Sequence, residues 1–409
     1  MKILLLSLNT TPEQTGIGKY QGEMGAWFAA RGHQVRAVAA PPYYPQWKVK
    51  EGYSGARYKI EEINGVRLYR VPLYVPEKPS GLKRLLHLAS FVIAAKPVVL
   101  WQAFFWKPDV ILLTAPPLMA APVALMAKKL SGARAYIHIQ DFEVDAAFNL
   151  GLLTRPWLYR LALRYERSAL CAFTGASTIS RKMREKMIEK GVSEKCAFLI
   201  PNWANVQDFD PAQGSGKWNA QLKQDPKTVL VLYSGNLGRK QGLETIVEAA
   251  RLLQNKVNLR FVICGDGAGR PDMEERAKGL TNMIFLPVQP MRDFVHLMIA
   301  ADIHLLPQKA GAADLVMPSK LGNILASGRP VVVGAAEGTQ IFDAVQGCGL
   351  IAPPEDAVAF AKAIETLAAD PALRGRMGVL GRERALEEWS QESTLTRMET
   401  MMMGEEKNA

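Results

Sequence analysis

Five short apolar runs, Ile3–Leu8, Val35–Ala39, Val110–Thr114, Ala135–Ile139 and Ala176–Ser180, punctuate the first half of the chain. Segments of helical periodicity lie between them, among them Lys19–Arg31, closed by Gly32, and Trp157–Ala172. A strand that is apolar on both faces has to be covered on both, which calls for a parallel sheet between two helix layers. The alternation then begins afresh. Strand Val229–Ser234 is followed by helix Gly242–Leu253, strand Arg260–Cys264, helix Met273–Gly279 and strands Met283–Pro287, His304–Pro307 and Val331–Val333. Leu199–Trp203 and the polar stretch Asp208–Lys227 read as a hinge and a variable loop. At 409 residues the chain exceeds what one hydrophobic core usually supports. The sequence therefore predicts an α/β chain of two tandem Rossmann-like, doubly wound domains facing a cleft, 1–200 and 201–389.

Charge is divided unevenly between these halves. Residues 1–200 carry 28 Lys+Arg against 14 Asp+Glu, and the remainder 22 against 25. A basic half beside a near-neutral one predicts that the first domain faces an anionic partner. The four cysteines are far apart and form no CxxC pair, which argues against a zinc or thiol-redox site. The start of the chain reads as a buried first strand rather than a leader. No uninterrupted stretch of about 18 apolar residues is present; the nearest, Leu85–Trp106, is interrupted by His87, Lys96 and Pro97.

The residues suited to chemistry fall where strands end. Thr15-Gly-Ile-Gly18 follows the first strand, and Gly16 and Gly18 let backbone approach a ligand at a helix start. Ser234-Gly235-Asn236 repeats the arrangement in the second domain, with Arg239 and Lys240 on the loop, a pairing suited to a diphosphate. Gly265-Asp266-Gly267, with Val288 beyond the following strand, suits a flat base. Pro318, Ser319, Lys320 and Asn323 begin a helix, with Asp314 in the loop before it. His138 and Asp141 end a strand in the first domain and are candidates to orient a reacting hydroxyl. Each element alone also fits an ordinary turn, cap or packed side chain.

In this order the motifs resemble family 4 of the retaining glycosyltransferases, which have the two-domain GT-B fold. The likeness runs through Thr15–Gly18, His138, Ser177–Ser180, Ile200–Asn202, Ser234–Asn236, Gly265–Gly267, Pro318–Lys320 and Gly328–Pro330. The tail at Ala385–Ser390 is similar to that family's too, and implies a last helix, about 390–409, completing the first domain. Pro41–Trp47, Pro72–Pro76, Leu82–Leu88, His138–Asp141 and Gly311–Asp314 resemble the fucosyl-transferring branch that acts in colanic acid biosynthesis. The resemblance implies retention by front-face attack, a nucleotide-diphosphate sugar as donor with GDP-fucose favoured and other GDP- or UDP-sugars as alternatives, and a polyprenyl-diphosphate-linked saccharide as acceptor. It implies no cofactor, no metal, no nucleic-acid partner, and a cytoplasmic location at the inner face of the membrane. His138, Asp141 and Asp314 would be catalytic, and Lys320, Arg239 and Lys240 would meet the diphosphate. Two departures are visible. Asn236 stands where many members have Arg, and Asn323 where many have Glu. A nucleotide-sugar 2-epimerase and a catalytically silent nucleotide-sugar-binding partner remain as rival readings.

Aromatic and basic residues cluster on the first domain. Tyr43, Tyr44, Arg84, Trp101, Phe104, Phe105 and Trp106, together with Arg160, Arg164 and Arg167 at i, i+4 and i+7 of one helix, predict contact with acceptor or an anionic membrane.

Overall fold

The first apolar run forms the middle of an eight-stranded sheet. Its strands are β1 (Lys2–Leu6), β2 (Gln34–Ala39), β3 (Lys59–Ile63), β4 (Val66–Arg70), β5 (Val110–Ala115), β6 (Arg134–Ile139), β7 (Gly175–Thr178) and β8 (Ala197–Leu199). They lie in the order β3-β4-β2-β1-β5-β6-β7-β8, and only the β3–β4 pair is antiparallel. The six residues of β5 are all buried, as a strand covered on both faces must be. This structure is a computed structural model. It describes the chain except residues 78–79, 150–154, 224, 239–240, 257, 310–318 and 406–409.

Two compact units result, Met1–Pro201 with Leu395–Ala409, and Asn202–Thr394. The second holds a six-stranded parallel sheet: β9 (Val229–Ser234), β10 (Leu259–Cys264), β11 (Met283–Leu286), β12 (Ile303–Leu306), β13 (Val331–Gly334) and β14 (Gly349–Ala352). The order β11-β10-β9-β12-β13-β14 reverses between β9 and β12, and ligands of open α/β sheets bind at that reversal, beyond the strands' carboxyl ends. Two apolar cores, one on each face of this sheet, hold it between helices: Leu230 and Leu232 face one, Val231 and Tyr233 the other.

Several sequence expectations need correction. The β3–β4 hairpin was not expected. Its signal is Asn64-Gly65, where both residues have positive φ, 51° and 76°, as a two-residue hairpin turn demands. His87, Lys96 and Pro97 interrupt the apolar run Leu85–Trp106 but not the helix that carries it. Helix Gly81–Trp101 runs through His87, Lys96 and Pro97 and continues as a π-helical turn, Gln102–Trp106. His87 is accommodated because it is buried with both ring nitrogens in use, Nδ1 on the Tyr74 carbonyl (2.6 Å) and Nε2 on the Tyr43 hydroxyl (3.0 Å). By length and composition this 26-residue stretch could cross a membrane, with mean hydropathy 1.6 in its most apolar window, a third of which is buried.

The last helix, Gln391–Met403, returns to the first unit from residue 395 onward. It buries Leu395, Met398, Met401 and Met402. Glu399 accepts from His33 Nε2 (2.5 Å) and pairs with Arg31 (3.1 Å). Burial alone would raise the Glu399 carboxyl, but the bonds from His33 and Arg31 outweigh it and hold the group below the usual range.

Candidate active site

At the sheet reversal of the second unit, two glycine turns interlock. Gly235, after β9, has φ +127°, and its N–H donates to the Cys264 carbonyl (2.9 Å). Gly265 and Gly267, after β10, have φ +151° and +152°. A Cβ on Gly265 would overlap the Gly235 carbonyl, and one on Gly267 would lie 2.6 Å from Asn236 Oδ1. Leu237 N–H donates to the Asp266 carbonyl (2.8 Å), and the Gly269 N–H returns to Leu237 O (2.7 Å). Asp266 Oδ1 accepts from the Gly267 N–H (2.8 Å). Only glycine allows the two loops to lie this close.

Lys320, in the first turn of helix Ser319–Ala326, lies against this double turn. A Cβ on Gly235 would overlap its side chain. Its Nζ donates to the Tyr233 hydroxyl (3.1 Å) and lies 4.8 Å from that ring's centre. The Tyr233 hydroxyl in turn donates to the Asn236 carbonyl (2.9 Å). Burial pushes the ammonium down to about 8. Among the described residues no carboxylate pairs with this ammonium, which is unusual for a partly buried cation. Asn323 is half-buried one turn on, Ser234 Oγ bonds Met298 Sδ (3.2 Å), and Val288 is exposed. Arg239, Lys240, Asp314 and Pro318, and the Ser319 side chain, lie outside the described residues.

In the first unit, Gly16 opens helix Gly16–Ala30 with φ +59°. Gly18 packs on Glu13, whose side chain a Cβ at 18 would overlap. His138 is only 2% exposed and does not present an open ring. Its Nδ1 meets Ser177 Oγ (2.9 Å) and its Nε2 meets the Gln140 amide nitrogen (2.8 Å). Burial takes it down to about 4, so the imidazole is neutral near pH 7, with Nε2 accepting from Gln140 and Nδ1–H donating to Ser177. Contact with a reacting hydroxyl would require exchanging one of these bonds. Asp141 is exposed.

Two carboxyls escaped the sequence reading. Glu143, two residues past Asp141, is half-buried, accepts from the Leu118 N–H, and is raised to about 7 by desolvation. Glu13 is buried. Its Oε1 accepts from the Tyr43 and Tyr44 N–H groups (2.9 Å each), and its Oε2 from Asn9 (2.9 Å). Burial raises its carboxyl as well, against the pull of those bonds.

The aromatic and basic residues divide. Tyr44, Arg84, Trp101, Phe104, Phe105, Arg160, Arg164 and Arg167 are exposed. Tyr43 is buried against His87 and Trp47, and Trp106 is half-buried with the Arg36 guanidinium over its ring (4.4 Å), so these two are packing residues. Among the described residues, no group of three or more His, Cys, Asp or Glu is arranged to hold a metal ion.

Comparison with known proteins agrees with this architecture. Residues 15–203 match the family model for the glycosyl transferase 4-like domain, and residues 215–384 that for glycosyl transferases group 1. A protein of Escherichia coli strain K12, named for colanic acid biosynthesis as the glycosyl transferase WcaI, is 45% identical over 374 residues. The match covers 89% of this chain and 91% of that protein. Among solved structures, the sucrose-phosphate synthase of Thermosynechococcus elongatus superposes with TM-score 0.65 at 20% identity, covering 99% of each chain. Anabaena Alr3699/HepE in complex with UDP superposes with TM-score 0.65 at 16% identity, covering 99% of this chain and 100% of its own. Sequence and fold together make the chain a member of the family 4 glycosyltransferases of GT-B fold.

Proposed function

We propose that the chain moves a sugar from a nucleotide-diphosphate donor, GDP-fucose by preference, onto a lipid-linked saccharide during exopolysaccharide assembly, with retention and without a metal. The observation that carries the reading is Lys320, a partly buried cation set on the interlocked Gly235 and Gly265 turns and, among the described residues, not paired with a carboxylate. The main charge to stabilise in glycosyl transfer from such a donor develops on the leaving diphosphate. A positioned ammonium does this without reorganising at the moment of reaction. The colanic acid name of the E. coli relative supports the exopolysaccharide acceptor. The test is product analysis. The full chain, GDP- and UDP-sugars and polyprenyl-diphosphate-linked acceptors are mixed in excess EDTA, and the new linkage is read by NMR. A new linkage that keeps the donor's own anomeric configuration is expected. An inverted linkage, a free C2-epimerised nucleotide sugar, or loss of activity restored by manganese or magnesium would each refute part of the scheme.

The same reading places the first unit on the inner membrane surface. Helix Gly81–Trp101 and its π-helical continuation leave Leu82 (72%), Ile93 (73%), Phe104 and Phe105 (61%) exposed among the exposed cations Arg84, Lys96 and Lys107. On helix Pro156–Ala172 an exposed apolar stripe, Trp157, Leu161 and Tyr165, runs beside Arg160, Arg164 and Arg167. Apolar insertion edged by cations suits an anionic bilayer, and each Lys or Arg contributes roughly 1 kcal/mol there. The full chain should co-sediment with phosphatidylglycerol vesicles at low salt and release as salt rises. A Phe104→Glu, Phe105→Glu variant should bind at least about tenfold more weakly, the loss expected when two large apolar groups no longer insert. Equal binding to phosphatidylcholine, or indifference to salt, would assign this surface elsewhere.

A further inference from the structure

Beside the Gly16 turn, the first unit holds a cavity of ≈ 810 Å³, walled by residues 12–15, 42–46 and 48–51. That volume falls within the ~300–1,000 Å³ typical of small-molecule sites. Among the described residues, none of those around Lys320 and the Gly235 and Gly265 turns lines it. We infer that it is a subsite for a saccharide carrying an anionic group, a phosphate or a carboxylate, gripped by Tyr44, Lys48 and Lys50. The inference rests on the glycosyl-transfer reading and specifies the acceptor side of it.

Four features support this. The wall is built in advance. Glu13 fixes the Tyr43 and Tyr44 amides, Lys50 N–H closes on the Pro42 carbonyl (2.9 Å), and Lys48 N–H on that of Tyr43 (3.3 Å). Beneath it Tyr43, Trp47 and His87 form an aromatic knot, with ring centres 4.9–5.6 Å apart. A rigid wall binds without having to order itself. Tyr44 is the exposed ring of the pair and sits over Gly16, where a Cβ would lie 3.6 Å from its Cε1. An exposed aromatic face on a fixed loop stacks on the C–H face of a sugar. Gln14 and Gln46 bring amides, which both donate and accept and so match vicinal hydroxyls.

The charge decides the class of sugar. Lys48 and Lys50 are exposed and line the cavity, and among the described residues neither is held in an ion pair. Of the two carboxyls on the lining, Glu13 is engaged by three N–H donors and only Glu51 is exposed. Among the described lining residues, two exposed ammonium groups thus stand against one exposed carboxylate, a pairing that a neutral saccharide would leave unused.

The test titrates the full chain by ligand-observed NMR with methyl glucoside, methyl glucuronide and glucose 1-phosphate. Saturating GDP or UDP occupies the donor site. Binding of that nucleotide is measured first. At least one anionic probe is expected to bind tenfold or more tightly than methyl glucoside, weakening with salt. Whichever is tighter tells phosphate from carboxylate. Lys48→Ala with Lys50→Ala should remove that preference at least tenfold while nucleotide affinity stays unchanged, and Tyr44→Ala should weaken all three probes. Equal binding of methyl glucoside, no binding of any probe beside a bound nucleotide, or an unchanged preference in the double lysine variant would overturn the subsite. If no nucleotide binds but the anionic probes still depend on Lys48 and Lys50, the donor reading fails and the subsite stands.

Discussion

Lys320→Ala should lower kcat/KM by roughly 10- to 150-fold, the ~1.5–3 kcal/mol of a charge-assisted bond to the leaving diphosphate. The same residue should cost stability. Its ammonium is pushed down to about 8 in the folded chain, against the ordinary lysine value of 10.5. Between those values the unfolded chain binds more protons, so stability rises with pH from about 8 to 10.5; below 8 the full penalty is present. Lys320→Met, which keeps the length of the side chain without the charge, should therefore unfold later than wild type at pH 7. The gain is up to roughly 3 kcal/mol and should fade as pH approaches 10.5. Anion binding has the opposite dependence. A bound diphosphate favours the ammonium, so wild-type affinity should fall as pH rises above 8, while Lys320→Met shows no such fall. Unfolding curves and pyrophosphate titrations across pH 7–10 measure both. Full activity in Lys320→Ala, or identical pH profiles for wild type and Lys320→Met, would remove this lysine from the donor site.

Gly265→Ala should be the most damaging single-methyl change in the second unit. The residue sits at φ +151°, where an L side chain is strained by about 1–3 kcal/mol. Its new methyl would also overlap the Gly235 carbonyl, and overpacking costs ~1–3 kcal/mol more. Since the clash falls on the turn that supports Lys320, nucleotide binding should fail along with stability. Thermal unfolding and nucleotide titration of the purified variant report the two losses. A variant with wild-type Tm and wild-type nucleotide affinity would mean that the two turns are not locked together. Gly279→Ala is the control. It has φ +85° but nothing within 4 Å of the added methyl, so only the backbone term remains.

Strands of the parallel sheets were legible because they are buried on both faces, and such strands read as unbroken apolar runs. The β3–β4 hairpin was not, because Lys59, Ile60 and Glu62 are exposed and the strand has no apolar run to display. Among candidate site residues, Gly235, Gly265 and Lys320 were visible as motifs because backbone geometry restricts what can occupy those turns. Glu13 and Glu143 were invisible. A carboxylate in a loop or at a helix start looks solvated in sequence, and only the fold reveals that Tyr43 and Tyr44 turn their N–H groups toward Glu13 and Leu118 its own toward Glu143. His138 illustrates the converse. Its place at a strand end was readable, but its enclosure by Ser177 and Gln140 depends on β7 lying alongside β6.

The return of helix Gln391–Met403 to the first unit has a consequence for how the molecule is made. During synthesis, residues 1–201 leave the ribosome first, but the partner for His33 and Arg31 is Glu399, which follows His33 by 366 residues. The second unit is continuous and is fully translated before residues 395–403 of that helix appear. The nascent first unit must therefore wait, with the surface meant for Leu395, Met398 and Met402 uncovered, until the second unit has been translated. A fragment cut at the hinge would keep that surface permanently open. A stable separate version of the first unit would need residues 395–403 grafted back onto it.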